Sequence, residues 1–421
     1  MNKELHQVVN KFKEDISSLL EQEVIDVIIY GSAVRGGFNP FDSDIDFIVF
    51  VDRKLSSKDI SKLLKYHLML RGKLTLDKLL EGRYMAIEDG NVINGYYVGT
   101  NSKGWKEITS LGFGHIESAM ILDSYTSLNN HNIINEIITY NWDSVIKEIY
   151  IQINGFLNNR MLGVNDNYTK YAIVTAARSY YTFTKKLFIS KQGALNWMKE
   201  IQSMNGLDNP REYILRIKYK MLPIHHCLSK RDIVDMFNFM SANLDFVIKN
   251  DLYVKLRRKE LNSQFLKDKE LLLYIKDNDE IICALSMKHK DDKEITLSML
   301  ATNKKDQKYG LAKRILIEAE RLCVNKGYKR ISLGARASSA NFYVKMNYKP
   351  MLMVQVFGKI NIDDILRVNK EQKNYEVINI IDNIHNKSVF LEIETVDEMD
   401  IKIFQDNLKH PDVQYVFTKE L

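Results

Sequence analysis

Two aspartates stand two positions apart where an apolar run begins. Asp44 and Asp46 open the stretch "DIDFIVFV", and an earlier apolar run, "VIIY", ends at Gly31-Ser32. On a strand, side chains two apart share a face, and two carboxylates on one face can chelate a hard divalent cation such as Mg²⁺. The Gly31-Ser32 turn can offer backbone N–H groups and a hydroxyl to phosphate. The set predicts metal-assisted nucleotidyl transfer, because Mg²⁺ neutralises the charge that develops on a triphosphate.

A second pattern, Gln-x-x-Gly-x-Ala, opens the run "QKYGLAKRILIEAERL". Gly310 allows the backbone to approach a ligand closely. The N–H groups of Lys308 to Ala312 would point outward at the start of a helix, which favours a bound pyrophosphate. The alternative interpretation is an ordinary helix start after a polar loop.

The two patterns lie in different surroundings. Residues 1 to about 110 alternate helical and strand patterns, whereas residues from about 112 to 250 give helical patterns such as "WDSVIKEIYIQINGFLNNRM". The charged stretch from Lys255 to Glu270 is the expected joining helix. Strand patterns follow, then a helix from Leu311 to about Asn325, a further strand and a tail with two more strand patterns, "YEVINII" and "SVFLEIE".

The first pattern, "GSAVRGGFNPFDSDID", resembles the signature of the polymerase-beta nucleotidyltransferase superfamily. The helical stretch "ARSYYTFTKKLFISKQGALNWM" is similar to a block of the streptomycin/spectinomycin adenylyltransferases within that superfamily. The resemblance implies adenylyl transfer from ATP to a hydroxyl of an aminoglycoside or aminocyclitol. It also implies roles for individual residues: Asp44 and Asp46 bind the metal, while Gly31, Ser32, Arg178 and Lys191 bind ATP.

The same resemblance suggests the general base and the acceptor site. The stretch "LLEGRYMAI" places the family's catalytic glutamate at Glu81, with Glu88 and Asp89 as alternatives because the sequence then departs from the family. Trp105 matches an aromatic residue that packs on the substrate, and its alternative is a partly buried core tryptophan. The family's acidic drug-binding position falls on Tyr168, with Asp166 two residues earlier.

The second pattern and the downstream stretch "SSANFYVKMNYKP" resemble the GNAT N-acetyltransferases in order and separation. By this resemblance, acetyl-CoA is bound at the start of the helix and Tyr343 protonates the departing CoA thiolate. Asn347 replaces the family's usual glycine. The acetyl-CoA-binding residues would be Gln307, Lys308, Gly310, Leu311 and Ala312.

Together these features predict a multidomain α+β chain with three parts. We expect an α/β nucleotidyltransferase domain over residues 1–110, a helical domain that closes on nucleotide and substrate over 111–250, and a GNAT domain with a C-terminal extension over 262–421. GNAT domains begin with a strand and two helices that wall the acceptor site. We expect these to be absent or shortened here, and the tail to fill that wall.

The overall composition limits the remaining possibilities. The net charge is +6 without a dense Lys/Arg stripe, which argues against nucleic acid as a partner. An odd number of distant cysteines, the absence of a long apolar stretch and an amphipathic N-terminus predict a cytoplasmic protein that has no membrane partner. The His225-His226 pair lacks a Cys-x-x-Cys partner, so we do not expect a zinc site.

We therefore expect a bifunctional enzyme that uses ATP, Mg²⁺ and acetyl-CoA on a small polar acceptor that carries both hydroxyl and amine groups. One alternative is a nucleotidyltransferase whose GNAT module is regulatory and senses acetyl-CoA. Another is an enzyme that modifies protein or tRNA.

Overall fold

The computed structural model describes residues 3–21, 23–41, 43–73, 75–99, 105–202, 208–244, 251–356, 360–383 and 387–421. The chain divides into two compact units, Met1–Met221 and Leu222–Leu421. The predicted multidomain α+β class is confirmed. Within the described ranges, no helix is both long and apolar enough to cross a membrane.

A six-stranded sheet forms the first part of unit 1. Its strands lie in the order β5-β4-β3-β2-β1-β6, and only β2 and β3 run parallel to each other. The elements of this part are α1 (Lys3–Leu19), β1 (Val24–Tyr30), α2 (Ser32–Arg35), β2 (Ile45–Val51), α3 (Ser57–Arg71), β3 (Leu80–Glu88), β4 (Asn91–Val98), β5 (Lys106–Ile108), α4 (His115–Asp123) and β6 (Tyr125–Ser127).

Strand β2 is covered on both faces, which explains why its sequence is apolar throughout. Phe47 and Val49 pack into a core that includes Phe12 of α1 and Leu63 of α3. Ile48 and its neighbour Phe50 pack into a second core on the other face. Since alternate residues of a strand face opposite sides, a continuous apolar run requires apolar cover on both sides.

The rest of unit 1 is helical. It contains α5 (Ile134–Ile137), α6 (Trp142–Asn158), α7 (Asp166–Lys185), α8 (Lys191–Gln202) and α9 (Pro210–Met221). A shared core joins α4, α6, α7, α8 and α9, and small side chains such as Ala172 and Ala176 allow α7 to pack closely against its neighbours.

Unit 2 is built on a nine-stranded sheet in the order β13-β14-β12-β15-β11-β10-β9-β8-β7, in which only β10 and β11 are parallel. In chain order, its elements are β7 (Ile224–His226), α10 (Lys230–Asn243), α11 (Asp251–Asp268), β8 (Leu272–Asp277), β9 (Glu280–His289), β10 (Glu294–Thr302), α12 (Leu311–Asn325), β11 (Arg330–Ala335), α13 (Ala337–Val344), β12 (Lys349–Val356), α14 (Ile362–Gln372), β13 (Val377–Asp382), β14 (Lys387–Glu392), α15 (Glu398–Asn407) and β15 (Asp412–Glu420).

The start of unit 2 differs from the sequence-based expectation. Residues from Leu222 onward group with unit 2 rather than with the helical part that we expected to reach residue 250. Strand β7 pairs with β8, and Met236 and Met240 of α10 lie in a core with residues of β8, β9 and β10. Unit 2 therefore opens with a strand and two helices, β7, α10 and α11, the elements that we expected to be absent or shortened. A three-residue strand is too short to give a clear alternating pattern, so the sequence did not reveal it.

The C-terminal tail completes the sheet from within. Strand β15 lies between β11 and β12 and pairs with both, while β13 and β14 extend the sheet beyond β12. The segment from β12 to β15 thus supplies the interior strand that connects the two halves of this sheet.

Candidate functional site

Three acidic residues meet at one edge of the sheet in unit 1. Asp46 pairs in register with Glu81 on the parallel strand β3 and lies opposite Tyr30 on β1. Asp44 precedes β2 by one residue and shares the face of Asp46. This face also carries Ile48 and Phe50, and it packs against Ile121 of α4.

The pKa values of both aspartates are raised. Burial raises the pKa of Asp46 to about 7, and the carboxylates of Asp44, Glu81 and Glu117 contribute to this rise against the opposing effect of Arg83. Burial and Glu81 also raise the pKa of Asp44. Such a crowded set of hard oxygen donors suits a divalent cation, which would relieve the repulsion. Within the part of the chain that the structure describes, however, no group of three or more His, Cys, Asp or Glu residues is arranged to hold a metal ion.

The Gly31-Ser32 turn lies against the aspartate pair. Gly31 has a φ of 72°, and a Cβ at this position would collide with the Asp46 carboxylate. Glycine is therefore required both by the backbone conformation and by the space that Asp46 leaves. The turn joins β1 to α2, so Ser32 is the first residue of that short helix.

Geometry separates the three candidates for the general base. Glu81 lies beside Asp46, and its carboxylate accepts a hydrogen bond from the Tyr97 hydroxyl. Glu88 and Asp89 lie at the opposite end of β3, seven or more residues away, which at about 3.3 Å per residue corresponds to roughly 23 Å. Glu81 is therefore the candidate that shares an edge of the sheet with the aspartates.

The two predicted ATP-binding cations come from helices distant in sequence. Arg178 of α7 is partly buried, and its guanidinium donates to the Ile189 carbonyl at 3.2 Å. Burial lowers the pKa of Arg178, and the Asp46 carboxylate is among the groups that oppose this shift. Lys191 begins α8 and acts on Asp44, where it opposes the rise in the pKa of that carboxyl. The structure thus brings both cations within electrostatic reach of the aspartate pair.

The acceptor-side residues occupy other positions. Trp105 is half-buried against the core of the first sheet, and its indole N–H donates to the Gly99 carbonyl at 2.7 Å. Tyr168 lies in the first turn of α7 in an aromatic cluster with Phe156, and Asp166 begins the same helix. Their roles toward an acceptor stay predictions.

Two residues at this edge, Arg83 and Glu117, have no role in any of the sequence motifs. Arg83 lies two positions after Glu81 on the same face of β3, where a strand period of two could have identified it. Its guanidinium stacks on Phe113 at 4.0 Å and pairs with Glu117 at 3.7 Å. Glu117 belongs to α4, whose sequence carries no local signal of a site. Only the tertiary fold brings it to Asp46.

Unit 2 has a cleft of about 900 Å³ between two strands that separate. Strands β10 and β11 are paired from Glu294 to Thr296 and from Arg330 to Ser332, and their pairing ends there although both strands continue. The cleft is lined by the continuing parts of both strands, by the start of α13, and by residues of α10, α11, α15 and β15.

The predicted acetyl-CoA loop borders this cleft. Gln307 lines it and donates a hydrogen bond to the Thr302 carbonyl at 3.4 Å. Lys308 and Gly310 have φ values of 71° and 82°, and Gly310 caps α12 without a side-chain hydrogen bond. Leu311 is buried, whereas Ala312 is only partly buried. The space beside Gly310 is open. The fifteen-residue helix α12 starts directly after it, and the first N–H groups of a helix have no partner within the helix.

Tyr343 lines the same cleft from α13 and is 7% exposed. Its ring packs near those of Tyr348 and Phe417, at 5.8 and 5.5 Å, and burial raises the pKa of its hydroxyl. The hydroxyl is therefore protonated at neutral pH, as a general acid must be before it acts. Asn347 has a φ of 63°, a left-handed conformation in which asparagine is a common substitute for glycine.

The histidine pair and the cysteines occupy structural positions. His225 stacks on Tyr274, and His226 hydrogen-bonds the Glu270 carbonyl through Nδ1, at 3.0 Å. Cys227, Cys283 and Cys323 are buried free thiols, and burial raises the pKa of each to about 12.

Comparison with family models finds two domains. Residues 9–82 match a nucleotidyltransferase domain, and residues 249–362 match an acetyltransferase (GNAT) domain. The chain thus carries an N-terminal nucleotidyltransferase domain and a C-terminal GNAT acetyltransferase domain, which confirms the two predicted resemblances. Two transferase domains are fused in this chain.

Two curated relatives match short parts of the chain. A protein of Methanocaldococcus jannaschii described as "Putative protein adenylyltransferase" is 32% identical over 62 residues, 15% of this chain and 62% of that protein. A CCA-adding enzyme of Pyrobaculum aerophilum is 37% identical over 65 residues, 15% of this chain and 16% of that enzyme. The chain therefore covers less than two thirds of the length of either relative.

Solved structures resemble each part at low identity. A spectinomycin adenyltransferase of Enterococcus faecialis is 17% identical with a TM-score of 0.36, covering 62% of this chain and 99% of that chain. A GNAT family acetyltransferase of Elizabethkingia anophelis with acetyl-CoA bound is 17% identical with a TM-score of 0.26, covering 48% of this chain and 98% of that chain.

Proposed function

We propose that the chain is a bifunctional enzyme. Its first domain transfers an adenylyl group from ATP to a hydroxyl of an aminoglycoside-like or aminocyclitol-like acceptor, and its GNAT domain transfers an acetyl group from acetyl-CoA to an amine. The observation that carries the first activity is the in-register pairing of Asp46 with Glu81, with Asp44 on the same face.

In this proposal Glu81 takes the proton from the acceptor hydroxyl as its oxygen attacks the α-phosphorus of ATP. The new oxygen–phosphorus bond replaces the bond to the β-phosphate, and pyrophosphate leaves. Lys191 and Arg178 hold the phosphates through charge-assisted hydrogen bonds. Asp44 and Asp46 would hold Mg²⁺, which neutralises charge on the triphosphate when it is bound.

In the GNAT domain, the turn at Gly310 and the start of α12 hold the pyrophosphate of acetyl-CoA. The amine nitrogen of the acceptor forms a bond to the acetyl carbon and loses a proton to water, and the carbon–sulfur bond breaks. Tyr343 donates its proton to the departing thiolate. The buried and protonated state of this tyrosine supports the role.

A small acceptor with both hydroxyl and amine groups would explain why two transferases share one chain. Acidic residues at the first site, including Glu117, suit an acceptor that carries positive charge. In this proposal Trp105 is the aromatic residue that contacts the acceptor.

A second candidate acceptor is a macromolecule. The names of the two curated relatives mention a protein adenylyltransferase and a CCA-adding enzyme, and each is similar to only a short part of this chain. By that analogy the nucleotidyl group would pass to a protein side chain or to the end of an RNA.

The test is incubation of the full chain with ATP, Mg²⁺ and acetyl-CoA in three arms. These contain a panel of amino sugars and aminocyclitols, a tRNA transcript, and protein from a cell extract. Mass spectrometry then records the added groups. Adenylyl and acetyl groups on the small acceptors support the proposal. Transfer confined to RNA or protein supports the second candidate. Acetyl-CoA binding without acetyl transfer would instead favour a sensing role for the GNAT domain.

A further inference from the structure

We propose that Tyr97 is a positioning residue that fixes the carboxylate of Glu81 for proton abstraction. This inference rests on the proposed nucleotidyl transfer, because Glu81 acts as a base only in that reaction. No motif of the sequence points to Tyr97. Tyr97 is identified by its hydrogen bond to Glu81 on the neighbouring strand.

The register of the sheet explains the contact. Strands β3 and β4 are antiparallel, with Arg83 opposite Tyr97 and Gly82 opposite Val98. Glu81 and Arg83 are two apart and share a face, so Tyr97 lies diagonally across from Glu81 on that same face. Diagonal neighbours are about 7–8 Å apart at the backbone, which an aromatic side chain can span. The Tyr97 hydroxyl donates its hydrogen bond to Oε1 of Glu81.

The tyrosine ring is itself held in place. The Arg83 guanidinium lies 5.6 Å from the centre of the Tyr97 ring and 4.0 Å from the centre of the Phe113 ring. Arg83 is further held by Glu117 at 3.7 Å and by the Tyr30 hydroxyl at 3.4 Å. These contacts fix the ring that carries the donor, so the glutamate is restrained through a chain of packed side chains.

The hydroxyl can donate throughout the working pH range. Burial and the neighbouring Glu81 carboxylate raise the pKa of Tyr97 above its usual value. A phenol that stays protonated offers its single proton to the carboxylate, and a hydrogen bond to an ionised group is stronger than a neutral one.

A purely structural role is the competing interpretation, and Tyr96 provides the matched control. Tyr96 is the adjacent tyrosine of β4, but it faces the other side of the sheet, opposite Tyr84 and against the core of α1 and α3. Tyr97→Phe and Tyr96→Phe each remove one hydroxyl from the same strand and keep the ring. Only the first removes a donor to Glu81.

The kinetic test follows adenylyl transfer from radiolabelled ATP to spectinomycin and streptomycin by the full chain. We expect Tyr97→Phe to lower kcat by about 10-fold or more with KM for ATP unchanged. A rate loss of this size matches the usual strength of a hydrogen bond to a charged group. Tyr96→Phe should leave both constants unchanged. In a Glu81→Gln background, Tyr97→Phe should cause no further loss. An undiminished kcat, or losses that multiply in the double variant, would overturn the proposal.

A second measurement does not depend on the acceptor. With 3-fluorotyrosine placed at position 97 of the full chain, the ¹⁹F resonance should move on Glu81→Gln and stay in place on Glu88→Gln. An unmoved resonance in the first variant refutes the contact whatever the activity. Absence of transfer by the unaltered enzyme would refute the proposed function, whereas transfer that Tyr97→Phe leaves intact would refute this inference alone.

Discussion

Replacing Phe417 by alanine should destabilise the GNAT unit and leave the nucleotidyltransferase unit unchanged. Phe417 lies in β15 and is fully buried. It is opposite Leu333 of β11 and Pro350 of β12, so it belongs to the strand that connects the two halves of the sheet. Its ring is also 5.5 Å from that of Tyr343.

The size of the effect follows from burial. Truncation of a buried phenylalanine to alanine costs about 3–5 kcal/mol, which includes the cavity that it leaves. Since a domain is stable by about 5–15 kcal/mol, this loss is roughly a fifth of the total or more. For a domain of this size each kcal/mol corresponds to about 2–4 °C, so we expect the unfolding temperature to fall by roughly 6–20 °C.

Calorimetry of the full chain measures the change. Leu266→Ala is the matched control, because Leu266 lies in the same unit with 80% of its surface exposed and should change stability by less than about 0.5 kcal/mol. Acetyl-CoA affinity should fall for Phe417→Ala, since Tyr343 loses a neighbour, and hold for the control. If Phe417→Ala unfolds within a degree or two of the control, β15 is not an interior strand of this unit.

Three further outcomes are expected. Asp46→Ala should abolish nucleotidyl transfer while acetyl-CoA binding is retained, and near-normal transfer in Mg²⁺ would contradict its assignment as a metal ligand. Lys191→Ala should raise KM for ATP by about 10- to 100-fold with little change in KM for the acceptor, because charge-assisted contacts are worth about 1.5–3 kcal/mol, and an unchanged KM for ATP would remove Lys191 from the site. Residues 1–221 and 222–421 should each fold when expressed alone. Fragments divided at residue 250 should be less stable, because that cut removes β7 and α10 from their sheet. Equal stability of the two pairs of fragments would contradict the boundary.

The arrangement of the Gly-Ser turn and the aspartates at the first site could be predicted from sequence because its elements are local. A Gly-Ser turn, two aspartates two apart and an apolar strand lie within about twenty residues, and the strand period places both aspartates on one face. The resemblance indicated Glu81, Glu88 and Asp89 as candidate bases, and only the register of β2 and β3 shows that Glu81 lies beside Asp46. Tyr97 and Glu117 could not be found, because their proximity to the site depends on strand pairing and on helix packing between distant segments.

The opening of the GNAT unit shows where local patterns mislead. The amphipathic pattern of α10 has the same period whether the helix packs on other helices or on a sheet, so the pattern alone does not tell which domain the helix belongs to. The pairing of β7 with β8 places this segment in unit 2, and it involves only three residues of each strand. The position of β15 between β11 and β12 is likewise a long-range pairing that no local pattern specifies.

The central claim is that one chain carries two separate transferase sites. The most direct test incubates the unaltered chain, Asp46→Asn and Tyr343→Phe with ATP, Mg²⁺, acetyl-CoA and the amino-sugar panel, and records adenylyl and acetyl groups on each acceptor by mass spectrometry. We predict that the unaltered chain adds both groups, that Asp46→Asn adds only the acetyl group, and that Tyr343→Phe adds the adenylyl group with acetyl transfer greatly reduced. Loss of both groups in either variant, or neither group added by the unaltered chain, would contradict the claim.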